Sequence, residues 1–163
     1  MLEPDPAQLR HLIGGLRASD RFNVMLFAGS NRMLADESVP ATTVNAERAV
    51  AILERVQAGG STEIVPALER IAALPKTADL ARTVVVITDG YVSVEERVFQ
   101  LVRKNLGQSN VFAFGIGSSV NRHLIEGIAR AGQGEPFIVT KPEFAAREAE
   151  RLIKEEGIKG FKF

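Results

Sequence analysis

Cysteine is absent from this 163-residue chain. Disulfides, thiolate nucleophiles and cysteine-based zinc sites are therefore excluded, while a thiol-free chain remains compatible with either redox compartment. Net charge is missing too, because 20 basic residues balance 20 acidic ones. Such a balance neutralises few phosphates and excludes a general electrostatic nucleic-acid binder. No apolar run approaches the ~18 residues needed to span a bilayer. The opening Met1-Leu2-Glu3-Pro4-Asp5 lacks the pattern of a secretory signal, and no compartment is assigned. Histidine is scarce. His11 and His123 stand alone on expected helices, with no second histidine or carboxylate at ligand spacing, and are read as surface or boundary residues. Walker, G-x-S-x-G and H-E-x-x-H patterns are absent. No activated nucleophile with a visible base remains, and the chain is read as non-enzymatic.

What is present fits one globular unit, with 45% apolar and 25% charged residues and no linker or repeat. Residues 1–156 are expected to form a single domain and residues 157–163 a tail. Asp5-Pro6 opens a helix carrying Leu9, Leu12, Ile13 and Leu16. Phe22-Asn23-Val24-Met25-Leu26-Phe27 reads as a buried strand, followed by a short edge strand near Met33-Leu34. Thr42 caps a helix that Gly59-Gly60 ends, and a further helix runs from Ser61-Thr62 to about Ala73. Thr83-Val84-Val85-Val86-Ile87-Thr88 is apolar on both faces, as an inner parallel strand requires. Ser93-Val94-Glu95-Glu96 and Thr140-Lys141-Pro142-Glu143 are capping boxes opening two more helices, the second with Phe144 on its apolar face. Between them lie strands at 110–116 and 136–139 and a helix at 121–131. Strands alternating with helices define an α/β fold with a doubly wound, mostly parallel sheet and helices on both faces.

Ligands of open α/β sheets bind beyond the carboxyl ends of the strands. Asp89 stands directly after the most apolar strand, where a hard cation can use its carboxylate; Asp89-Gly90 is equally a common turn pair. Thr62, after two glycines and before a helix, is either an oxygen ligand or a plain N-cap. Gly115-Ile116-Gly117 suggests half of a dinucleotide fingerprint, but the third glycine position is Val120 and the motif falls late in the sheet. A nucleotide- or phosphate-binding domain is accordingly the alternative function, and a structural fragment without ligand the third.

Asp20-Arg21-Phe22-Asn23-Val24, Gly59-Gly60-Ser61-Thr62-Glu63, Val84-Val85-Val86-Ile87-Thr88-Asp89-Gly90-Tyr91 and Phe112-Ala113-Phe114-Gly115-Ile116-Gly117-Ser118 follow one another at fitting distances, with Val120-Asn121-Arg122 behind them. This resembles a von Willebrand factor A-type domain, in particular the subgroup found in inter-alpha-trypsin inhibitor heavy chains. The likeness covers roughly residues 2–153. It implies a metal-ion-dependent adhesion site holding Mg²⁺, whose open position takes a carboxylate from a protein partner. Thr62 and Asp89 match two of the family's metal ligands, with Ser30, Ser61, Gly90, Gly117 and Ser118 on the partner-binding face.

The family's central first strand and its Asp-x-Ser-x-Ser loop have no counterpart here. One carboxylate and one hydroxyl are few for Mg²⁺, which takes six oxygens, so binding is expected to be weak or absent. Five missing buried apolar side chains forfeit on the order of 10 kcal/mol at about 2 each. Three arrangements answer the gap. The strands at 22–27 and 83–88 close up and pair; a second chain donates a strand, giving a homodimer by strand exchange; or residues 158–163 return into the slot, against the cost of burying Lys159 or Lys162. A truncated chain, or a piece of a longer protein, is the plainest origin of the gap.

Overall fold

A computed structural model describes residues 6–27, 31–55, 63–76, 78–88, 92–105 and 109–155. Its centre is a parallel three-stranded sheet of order β5-β6-β7, formed by Arg82–Thr88, Ser109–Ile116 and Gln133–Val139. Strands β5 and β6 keep an unbroken register from Arg82↔Ser109 to Thr88↔Gly115, while β7 joins through an irregularity at its start. Gln133 there takes a left-handed φ of 57°, and the Val111 carbonyl crowds Gly134 too closely for any side chain.

Alternation along the strands divides the core into two faces. Val84, Val86, Val111 and Ala113 point one way, against helices α3 (Ile64–Ala73), α4 (Glu95–Asn105) and α5 (Arg122–Ala131). Phe112, Phe114, Ile116, Phe137 and Val139 point the other way, against Leu152 of α6 (Ala145–Glu155). Phe114 and Phe137, paired across the ladder, stack with ring centroids 4.5 Å apart. Helices on both faces of a parallel sheet are the doubly wound arrangement expected from the sequence.

The first part of the chain departs from expectation. The 22–27 segment does not enter the parallel sheet. It breaks into β1 (Arg21–Phe22), antiparallel to β4 (Val39–Pro40), and β2 (Met25–Leu26), antiparallel to β3 (Arg32–Met33). The reason is local: Asn23 uses its side chain as a substitute strand. Its amide donates to the Ala35 carbonyl at 2.8 Å, and its Oδ1 accepts from Val24 N at 2.9 Å and Ala35 N at 3.3 Å, interrupting the ladder between the two short pairs. Strand β2 is not bonded to β5, so the strands do not close up. Among the described residues, the edge of β5 away from β6 has no strand beside it.

Helices α1 (Pro6–Gly14) and α2 (Thr43–Glu54) cover this region, with Ile13, Phe22, Leu34 and Ala49 forming a third, smaller core. Thr42 caps α2 as expected, its hydroxyl accepting from Asn45 N at 3.3 Å. Both capping boxes are corrected. Helix α4 starts one residue later than Ser93 implies, its first turn closing through Val98 N to Val94 O at 3.2 Å, and Glu96 turns outward to Arg103 at 3.1 Å. At 140–143 the chain forms a 3-10 turn, Pro142–Phe144, because Phe144 N bonds the Lys141 carbonyl. Phe144 is consequently exposed, with the Arg147 guanidinium 4.9 Å above its ring. The Gly59-Gly60 helix stop and the tail beyond residue 156 lie outside the described residues.

Candidate functional site

Parallel strands of matched length end level, and their following loops share one rim. Thr88 closes β5 directly opposite Gly115 of β6, and Ile116 lies opposite Val139 of β7. Gly117 N then donates to Val139 O at 2.9 Å, turning the chain over the sheet end with a left-handed φ of 123°, a conformation that favours glycine. Phe27 reaches the same neighbourhood from the antiparallel part. Its carbonyl accepts from Glu63 N at 3.1 Å, and its side chain packs against the larger apolar core to which Ile64, Val86 and Val92 belong.

Thr62, Asp89, Gly90, Ser61 and Ser30 lie outside the described residues, but the residues beside them do not. Phe27 and Asn31 flank Ser30, Glu63 follows Thr62, and Thr88 and Val92 bracket Asp89 and Gly90. The Glu63 N to Phe27 O bond joins the first two of these segments directly, and Ile64, Val86 and Val92 lie in one larger apolar core that Phe27 packs against. Of the two described candidates, Ser118 is exposed at the rim, whereas Gly117 is buried; its place in the site is the turn it permits, not a surface it offers. The N-cap position of α3 falls on Glu63, without a side-chain cap bond, and not on Thr62. Thr62 itself lies outside the described residues.

A feature that sequence reasoning missed joins two of the rim loops. Asn121 caps α5, its Oδ1 accepting from Leu124 N at 3.1 Å, and its amide donates to Glu95 Oε1 at 2.5 Å. Glu95 opens α4, and its other oxygen lies 3.8 Å from His123 Nε2. His123 in turn meets Phe99 edge to face, with ring centroids 5.7 Å apart. The loop after β5 is thus tied to the loop after β6 across 26 residues of sequence. The usable signals were an Asn before a helical run and a Glu in the first turn of another, but nothing in their spacing says that they meet.

At the same rim Val120 and Ile125 pack onto Gly115, leaving no room for even a methyl group. That turn is filled by side chains, which weighs against a phosphate cradle there. On the neighbouring side, Asn31 Oδ1 is buried without a hydrogen-bond partner, while the Asn31 carbonyl accepts from Arg70 at 2.7 Å. Among the described residues no group of three or more His, Asp or Glu side chains could hold a metal ion. The two ligands that the resemblance implies, Thr62 and Asp89, lie outside the described residues.

A parallel sheet wrapped by helices, with its loops converging at one rim, defines the class of α/β binding folds. The chain belongs to the von Willebrand factor type A domain family, whose profile matches residues 7–136. Domains of this family are generally protein-interaction modules. The chain is 34% identical over 134 residues to human von Willebrand factor A domain-containing protein 5A, covering 82% of this chain and 17% of that protein. It is 32% identical over 148 residues to a von Willebrand factor A domain-containing protein of Dictyostelium discoideum, covering 90% of this chain and 7% of that one. The chain thus spans less than a fifth of the length of these relatives. Among solved structures, a von Willebrand factor type A protein from Catenulispora acidiphila superposes with a TM-score of 0.77 at 19% identity, covering 91% of this chain and 37% of that one. The conserved hypothetical protein BatB from Bacteroides thetaiotaomicron gives 0.69 at 16% identity, covering 93% and 86%.

Proposed function

We propose that this chain is a non-enzymatic protein-binding module whose partner meets the rim formed by the carboxyl ends of β5 and β6. The observation that supports this reading is that Glu63 N donates to the Phe27 carbonyl, while Phe27, Ile64, Val86 and Val92 all belong to or pack on the same larger apolar core. Ser118 adds an exposed hydroxyl just past the end of β6. A partner of this adhesion type presents a carboxylate, which Mg²⁺ held by Thr62 and Asp89 would receive. With two protein donors the ion is held weakly or not at all by this chain alone, and a partner carboxylate would supply a further oxygen.

Thermal unfolding with millimolar Mg²⁺ or Mn²⁺ against EDTA tests the reading. A ligand that binds only the native state at 100 times its dissociation constant adds about 2.7 kcal/mol. A rise of the midpoint that Asp89→Ala abolishes establishes a working site. No shift with either ion removes the metal from the proposal and leaves a fold whose adhesion function is lost.

A further inference from the structure

The corner between β7 and α6 carries an aromatic side chain that the fold leaves in solvent. Phe144 is 39% exposed, and two cations frame its ring, the Arg147 guanidinium at 4.9 Å and the Lys141 ammonium at 6.0 Å from the centroid. We infer that this corner is a docking site for an acidic peptide segment of a protein partner, one with an apolar side chain between its carboxylates. The apolar side chain lies against Phe144, and the carboxylates meet Arg147 and Lys141. The inference goes beyond the metal reading above and does not depend on it, because none of these groups needs an ion to act.

The local sequence explains the arrangement. Phe144 N donates to the Lys141 carbonyl at 3.0 Å, folding Pro142–Phe144 into a 3-10 turn ahead of α6 and leaving Phe144 outside the core. Helical spacing then sets Phe144, Arg147, Glu148 and Arg151 on one stripe along the turn and α6, while Ala149 and Leu152 are buried. The Arg151 guanidinium lies 4.8 Å from the centre of the buried Phe137 ring, so both arginines of the stripe are backed by aromatic rings. The corner also borders the rim, because Val139 at the end of β7 accepts from Gly117 N. One partner can therefore reach both.

Charge selects the kind of partner. Glu148 pairs with both arginines, closely with Arg151 at 3.0 Å and loosely with Arg147 at 3.6 Å, and the Arg147 side chain stays 71% exposed. Among the described residues no carboxylate pairs with Lys141. Glu143, exposed on the same turn, keeps the corner from being strongly basic, so attraction comes from direct contact and not from a long-range field. A guanidinium stacked on a ring still offers its N–H edge to a carboxylate in bidentate geometry. Its position is set before binding, which lowers the cost of ordering it. An exposed phenylalanine alone is ordinary surface. The cations held on its ring are what favour an acidic, apolar ligand.

The test follows the amide NMR spectrum of the whole chain, in EDTA, as an end-blocked peptide of sequence Gly-Glu-Glu-Phe-Glu-Glu-Gly is added. Amides of residues 141–151 are expected to shift with saturation. Phe144→Ala and Arg147→Ala are each expected to weaken binding about tenfold, as for a residue central to a contact. Both side chains are exposed, and melting midpoints of the variants check that the fold is kept. Arg130→Ala removes an exposed cation of α5, on the opposite face of the sheet, and leaves binding unchanged. Two control peptides, with serine for the phenylalanine or lysines for the glutamates, leave the spectrum unshifted and alter the probe, not the fold.

Several results would overturn the inference. No saturable shift, or equal binding of either control peptide, would show that the corner does not read acidic and apolar character together. Undiminished binding by Phe144→Ala and Arg147→Ala would place the peptide elsewhere. Binding that needs Mg²⁺ would assign the peptide to the rim, which supports the metal reading while removing this one. Loss of both the metal effect and the peptide effect would remove the two separately. Binding to phosphatidylserine vesicles that Phe144→Ala abolishes, without any binding of the peptide, would make an anionic membrane the occupant.

Discussion

Replacing Asn121 separates the two tasks that its side chain performs. Asn121→Ala removes the α5 cap and the bond to Glu95 together. The cap contributes about 1 kcal/mol. A hydrogen bond to a charged group contributes roughly 1.5–3 kcal/mol, taken nearer 1 here because Glu95 remains partly exposed. The sum is about 2 kcal/mol, which for a chain of 163 residues lowers the melting midpoint by roughly 4–8 °C. Asn121→Asp keeps an oxygen for Leu124 N but sets a second carboxylate against Glu95. The like-charge repulsion is present at neutral pH, where both carboxyl groups are ionised, and is relieved on acidification, so the gap between Asn121→Asp and the parent chain narrows from pH 7 to pH 4. Urea unfolding at pH 7 and pH 4, with the cycle completed by Glu95→Gln, reads each contribution. Two results would refute the reasoning: an Asn121→Ala loss within 0.5 kcal/mol, or zero coupling between the sites. Either would mean that the two rim loops are held independently.

Two further predictions concern packing. The Phe99 ring lies so close to Gly127 that no side chain fits there, so Gly127→Val is expected to cost about 1–3 kcal/mol by overpacking, and Phe99→Leu in the same chain to recover part of it; denaturant midpoints of the single and double variants decide. At the far end of β5, Arg82 donates to the carbonyls of Ile71, Leu74 and Pro75 at 3.3, 3.0 and 2.8 Å, closing the end of α3, and burial lowers the pKa of its guanidinium below the ordinary value. Arg82→Met should cost about 2 kcal/mol, most of it local to α3, visible as faster amide exchange there than in α5.

The sheet was legible in the sequence because its strands answer to one rule. Strands covered on both faces must be apolar throughout, and 83–88 and 110–116 satisfy this within a residue of the observed ends. The same rule misled at 22–27. That run is equally apolar, but Asn23 competes for the backbone, and the partner strand that would have kept the run extended is not beside it. At the rim, glycine positions revealed where the chain turns, and Gly117 is such a turn. The tie between Asn121 and Glu95 stayed hidden because it depends on strand register, which brings Thr88 opposite Gly115 and is not written in either loop.

Helix α1 packs against α6, with His11 Nε2 3.4 Å from Glu150 Oε1. These are the first and last helices described, and at about 1.5 Å per residue neither is longer than roughly 17 Å. Polypeptide that enters through α1 therefore leaves through α6 from nearby. A unit with neighbouring entry and exit can be set into a longer chain like a plug into a socket, leaving the host's path almost unchanged.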